Sequence, residues 1–198
     1  KNKPAEVIEF VGMPRSGKTT QIKLLKAYLT KSGRTVKIIS DRERAAKIAT
    51  PPTEVVGYKL VFFAFALEEY FRSCNHYDYI LIDRGFNDAA VWFETERALG
   101  HISTVRAKEL QQTFKEYQQK VGQIFCLLTS PATARQRHQV TTHQSVDDVG
   151  MSSAYLAALT KSYQAVMKKV VRATIIDTTT LTPRSIHEMI IKKLVRER

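Results

Sequence analysis

A chain of 198 residues, 43% hydrophobic and 25% charged, has an ordinary globular composition and is long enough for one compact domain with a real core. No apolar run reaches the length of a membrane-spanning helix, and the start, Lys1-Asn2-Lys3-Pro4, lacks the apolar stretch and small-residue cleavage site of a secretion signal. The net charge of +12 favours anionic partners, nucleotides or nucleic acid, with a solvated basic surface as the alternative.

In chain order, the apolar run Glu6 to Gly12 is a strand ending in glycine. Ile22, Leu24, Leu25, Tyr28 and Leu29 recur at helical spacing over Lys18 to Lys31, and Ser32-Gly33 stops that helix. Thr35 to Ser40 is a second strand. Thr50-Pro51-Pro52 breaks the chain, and Thr53 caps a long apolar helix through Phe71. Tyr77 to Asp83 is the third strand, followed by helices over Phe86–Leu99 and Ser103–Lys120. Gln123 to Thr129 is the fourth strand. Ser130 to Gly150 is rich in Thr, Gln, Arg and His and is expected to be a loop, read here as a lid over about 131–150. A helix over Ser152–Val171, a strand over Thr174–Asp177 and a helix over Thr182–Arg196 complete the chain. Strands alternating with helices predict an α/β fold with a five-stranded parallel sheet, helices on both faces, and one domain over 1–198.

Cys74 and Cys126 lie far apart in apolar settings, which suits free thiols in a reducing cytoplasm. No Cys-x-x-Cys pair supports zinc, and His138 and His143 are expected to be polar loop residues. The chain lacks an initiator Met, so trimming at its N-terminus is expected. Phe62, Phe63, Phe65 and Phe71 form an apolar helix face expected to serve mostly as core, Trp92 is expected to be a packing residue, and Glu94 and Glu96 are expected to face solvent.

The most specific signal is Gly12-Met13-Pro14-Arg15-Ser16-Gly17-Lys18-Thr19, which fits the phosphate-binding pattern G-x-x-x-x-G-K-[ST], with Thr20 following. Glycines let the backbone fold tightly so that its N–H groups converge on a phosphate. Lys18 offers a mobile charge to the β- and γ-phosphates, the Thr19 hydroxyl suits magnesium, and the following helix aims its positive end at the anion. The motif follows a predicted strand and opens a predicted helix, as its mechanism requires. ATP and Mg2+ are the implied cofactors.

Ile80-Leu81-Ile82-Asp83 is followed by Arg84 rather than by a water-activating glutamate, and no Asn-Lys-x-Asp guanine-reading loop occurs late in the chain. An arginine there suits a second phosphate, gripped in a bidentate fashion beside the γ-phosphate of ATP. In these features the chain resembles the thymidylate kinase-like family of P-loop kinases. The resemblance covers most of the chain as an order of elements, though few of its motifs are specific. It rests on Gly12 to Thr20, Asp41-Arg42, Phe63, Asp83-Arg84, and Arg135 with Arg137. It implies a three-layer P-loop fold with a short lid. It implies that Arg42 and Arg84 hold the acceptor phosphate, that Asp41 or Asp83 helps organise magnesium or the acceptor, and that Phe63 stacks on the acceptor base. Arg135 and Arg137 would close over the transferring phosphoryl group. Dimerisation through the 53–71 helix is also what the family would imply.

The chain departs from the family on the acceptor side. Leu67 stands where the family carries a base-reading arginine. Gly85-Phe86-Asn87-Asp88 replaces an aromatic or histidine followed by serine. The acceptor is therefore open. The expected activity is phosphoryl transfer from ATP to a nucleotide, nucleoside or similar small acceptor. The alternatives are a polynucleotide kinase, favoured by the +12 charge, and an ATPase or switch module without kinase activity.

Overall fold

The structure is a computed structural model that describes residues 4–40, 43, 55–142 and 151–196, with side chains at 55 and 141–142 outside the description. Asp41, Arg42, Thr53 and residues 143–150 of the expected lid therefore lie outside the described residues.

Strands β1 (Glu6–Gly12), β2 (Val36–Ile39), β3 (Tyr79–Asp83), β4 (Gln123–Leu128) and β5 (Ala173–Asp177) form one parallel sheet in the order β2-β3-β1-β4-β5. β3 and β4 are buried along their whole length, which is why they are near-continuous apolar runs rather than alternating ones. Helices α1 (Lys18–Lys31), α2 (Val55–Ser73), α3 (Phe86–Ala98), α4 (Thr104–Gln119), α5 (Pro131–Thr142), α6 (Ser153–Met167) and α7 (Pro183–Arg196) are the helices among the described residues. None is long and apolar enough to cross a membrane.

Alternation along β1 sends its side chains into two cores. Ile8 and Phe10 pack with Ile22 and Leu25 of α1 and Ile186 and Ile190 of α7. Val7 and Val11 face the other way, into a core with Phe63 of α2, Phe86 and Phe93 of α3, Phe114 of α4 and Leu156 of α6. Ser103 and Ser152 cap α4 and α6, their hydroxyls accepting from the Arg106 and Tyr155 amides. α6 ends at Met167, four residues short of the predicted Val171, which is fully exposed.

The structure changes several expectations, and one of them is that Phe71 of α2, expected in the core, is exposed. The polar stretch after β4 is helical through Thr142 instead of a loop. Ser130 caps it, its hydroxyl accepting from the Thr133 amide at 3.1 Å, and Pro131 sits in the first turn, where no N–H is needed. His138 is consequently a buried residue of α5 rather than a loop residue. Glu96 does not face solvent: it is buried, accepting from the Tyr155 hydroxyl at 3.3 Å and lying 2.7 Å from His101 Nδ1.

β1 sits between β3 and β4, so the connections after β1 and β3 leave the sheet on opposite faces. This opens a crevice at the C-terminal ends of the strands, the place where open parallel sheets take ligands.

Candidate active site

The loop from Gly12 to Gly17 fills that crevice. Gly12 has φ 130°, and a Cβ there would stand 2.0 Å from the Leu127 carbonyl oxygen, so β4 itself excludes any side chain. Gly12→Ala is expected to cost about 2–4 kcal/mol, combining backbone strain with a collision against main chain. A urea titration would show it as a lowered midpoint; an unchanged midpoint would mean the loop is not held against β4. Gly17 at φ 95° forms the N-cap of α1, with open space around it, so there the need is conformational. Arg15 also takes a left-handed backbone, φ 57°.

Lys18, mostly buried, directs its ammonium at the Gly12 and Met13 carbonyls, 3.1 and 2.8 Å away. The Thr19 hydroxyl donates to Asp83 Oδ2 at 3.0 Å, linking the start of α1 to the end of β3. The Ser16 hydroxyl is buried in the loop with no protein partner, which suits an anion's oxygen as acceptor. These groups and the start of α1 line a cavity of about 640 Å³ with Asp83, Arg84 and Arg137, and apolar Leu181, Pro183 and Ile186 also line it. Pro14 and Thr20 also line it.

A Thr hydroxyl beside a carboxylate fits magnesium, which takes one or two protein oxygens and completes its octahedron with phosphate and water. Among the described residues no group of three or more His, Cys, Asp or Glu is placed to hold a metal ion, so phosphate and water would have to supply the remaining positions.

Arg84 follows Asp83 with φ 56°, and its amide donates to the Phe10 carbonyl at 3.0 Å. Its positive charge is felt by the phenols of Tyr155 and Tyr163. Burial first, and a neighbouring carboxylate second, nevertheless push both phenols well above the ordinary tyrosine value; the carboxylate is Glu96 for Tyr155 and Asp88 for Tyr163.

The two arginines of α5 part company. Arg137 lines the cavity and donates to the Arg15 carbonyl at 3.2 Å and the Thr178 carbonyl at 2.9 Å, tying the Gly12–Gly17 loop to the turn after β5. Arg135 does not line it; its guanidinium donates to Ser153 Oγ at 2.6 Å. Arg15 reaches α5 in turn, with guanidinium nitrogens 3.0 and 3.3 Å from His138 Nδ1.

A second, very small cavity of about 10 Å³ lies between α2 and α3, bordered by Phe62, Phe63, Arg84 and Asp88. Phe63 is buried, its ring centroid 3.8 Å from that of Phe114 and 5.2 Å from that of Phe86, so most of its surface serves the core. Trp92, expected to be a packing residue, also borders this cavity. Its indole N–H donates to Asp88 Oδ2 at 2.9 Å, and the Lys59 ammonium sits 3.6 Å above its ring. Asp88 Oδ1 accepts from the Tyr163 hydroxyl at 2.6 Å. Sequence reasoning gave no role to Lys59 or to Asp88, although Asp88 stood in the stretch that departs from the family pattern.

No protein-family model matches the chain, and no curated protein sequence matches it. Its fold is that of several solved kinases. The structure of deoxyadenosine kinase from M. mycoides with bound dATP superposes with a TM-score of 0.68 at 15% identity, covering 94% of this chain and 98% of that one. The same enzyme with dCMP and a flexible dCDP gives 0.64 at 16% identity, over 97% and 100%. Thymidylate kinase from Candida albicans gives 0.67 at 13% identity, over 100% and 94%.

Proposed function

We propose that this chain is a single-domain kinase that transfers the γ-phosphoryl group of ATP to a nucleoside or nucleotide. The observation that carries the reading is one cavity bringing Lys18, the Thr19–Asp83 pair and Arg84 together at the switch point of the sheet. Phosphoryl transfer asks little covalent chemistry of a protein; it asks for in-line positioning and positive charge around the moving group. Lys18 and the loop amides would grip the β- and γ-phosphates. The apolar side chains of Leu181, Pro183 and Ile186 would carry the adenosine. Thr19 and Asp83 would hold magnesium, which neutralises charge between the β- and γ-phosphates. Arg84 faces both cavities and is the group able to hold an acceptor's phosphate or hydroxyl beside the γ-phosphate. Arg42 would join it from the segment after β2.

Arg137 is the α5 arginine already at the cavity. Arg135 would have to leave Ser153 to reach a phosphoryl group, as closure of a lid would allow. The space between α2 and α3 is the acceptor's place, with Phe63 and Trp92 supplying aromatic surface. It must widen to admit a base, which means displacing Lys59 from Trp92. Exposed Val61 and Phe71 on α2 suit a homodimer contact.

A second observation favours nucleic acid as the acceptor. Lys108, Lys115 and Lys169 line a cleft of about 570 Å³ between α3, α4 and α6. Its one acid, Glu94, is bonded to Arg97, which holds that carboxyl below its ordinary value.

The test is ADP release with ATP and magnesium across nucleosides, nucleoside monophosphates, and DNA and RNA oligonucleotides with free 5′ hydroxyls. ADP that depends on a mononucleoside or mononucleotide supports the first reading. Dependence on an oligonucleotide, lost steeply with salt, supports the second. ADP release indifferent to every acceptor would leave an ATPase or switch.

A further inference from the structure

Glu9 is a carboxylate in the middle of the central strand, with no exposed surface. Burying a charge there is costly unless donors surround it. Glu9 points to the same side of the sheet as Val7 and Val11, and there it meets the first turn of α3. Oε1 accepts from the amides of Gly85 at 2.9 Å, Asn87 at 3.0 Å and Asp88 at 3.0 Å. Oε2 accepts from the Asn87 amide at 3.0 Å and the Asn87 side-chain amide at 2.8 Å. α3 has no side-chain cap of its own, since its N-cap residue is Gly85. A residue 76 positions earlier in the chain caps it instead.

The segment so held is the corner carrying Arg84. The Arg84 amide is bonded to the carbonyl of Phe10, and the next amide, that of Gly85, to the carboxylate of Glu9. Two adjacent residues of β1 thus pin the backbone before and after the Arg84 α-carbon. The left-handed conformation of Arg84 is the kind of strained geometry that persists only when its surroundings over-determine it. Gly85 completes the fit: a Cβ there would stand 2.7 Å from Ile82 Cγ2 and 3.4 Å from the Glu9 carboxyl. Burial pushes the Glu9 carboxyl above its ordinary value, against the opposing pull of the Asn87 and Asp88 donors.

We propose that Glu9 is the positioning residue for Arg84, setting the direction in which that guanidinium meets the acceptor. This rests on the kinase reading, in which Arg84 holds the acceptor. Glu9→Gln keeps the shape but turns one acceptor into a donor facing other donors. It is expected to raise the acceptor KM about 10-fold or more, since a displacement of about 1 Å can cost up to about 10²-fold. The dissociation constant for ATP, which is set by the loop and α1, should stay within about 2-fold. Asn87→Ala removes one of the five bonds, leaves the backbone cap, and should raise the same KM by about 3-fold.

The acceptor KM and the ATP dissociation constant would be measured for all three proteins, with amide NMR relaxation at Arg84 and Gly85. A general loss of structure would move both constants; a positioning role moves one, with exchange broadening at those amides. Folded Glu9→Gln with an unchanged acceptor KM overturns the proposal. If Glu9→Gln fails to fold, Asn87→Ala decides it, and an unchanged KM there overturns it too. If the wild-type protein transfers phosphate to no acceptor, the kinase reading falls. The Arg84 and Gly85 amides then decide the role of Glu9 separately: broadening in the variants supports it, and sharp, unshifted signals overturn it.

Discussion

Lys18→Ala is expected to reduce ATP-dependent turnover by about 10²- to 10³-fold, the usual cost of deleting one preorganised charge at a transferring group. The reason lies in how little freedom the lysine has. It opens α1 directly after the left-handed Gly17, and its side chain is buried against the carbonyls of Gly12 and Met13. That position keeps the ammonium at the mouth of the loop, where a β- or γ-phosphate would meet it in a setting poorly screened by water. Lys18→Arg should not restore activity: a planar fork cannot occupy a cradle that holds a point charge between two carbonyls. Steady-state ADP production and calorimetric titration with magnesium–ATP would measure both effects. Turnover within a few-fold of wild type in Lys18→Ala would remove the loop from the mechanism.

Features written in consecutive residues were legible in the sequence. The buried runs of β3 and β4, the glycines at 12 and 17, and the order of strands and helices all follow from local pattern. Ser130-Pro131 was a legible helix start that composition obscured, because Thr, Gln and Arg filled the stretch after it. Other features join residues distant in the chain. Glu96 is buried because Tyr155 lies across from it, and His138 because Arg15 does. Glu9 carried a signal of its own, a charge at the centre of an apolar strand, but its meaning depended on amides at 85, 87 and 88. Asp88 likewise acquires its place only when α6 brings Tyr163 against it.

Arg84→Ala is expected to separate the two halves of the reaction. The acceptor KM should rise and kcat fall, together costing about 10²- to 10³-fold in kcat/KM, while ATP affinity changes by less than about 2-fold. The separation follows from position: the residue follows β3 and stands where the large cavity and the small one between α2 and α3 both reach it, whereas the Gly12–Gly17 loop is built between β1 and α1. The backbone cost at φ 56° is similar for alanine and arginine, so any change in stability would come from the side chain's contacts. Arg84→Gly would relieve that cost and should be about 1 kcal/mol more stable than Arg84→Ala while losing the same activity. This outcome would separate the guanidinium's chemistry from the strain of its backbone. Arg84→Lys keeps the charge but not the two-pronged grip, so it should recover only part of the loss on a phosphate-bearing acceptor. On an acceptor offering only a hydroxyl, lysine should come closer to arginine. The ratio of the two recoveries would thus report whether Arg84 holds a phosphate. Equal loss of ATP binding and acceptor use in Arg84→Ala would instead assign the arginine to the donor side.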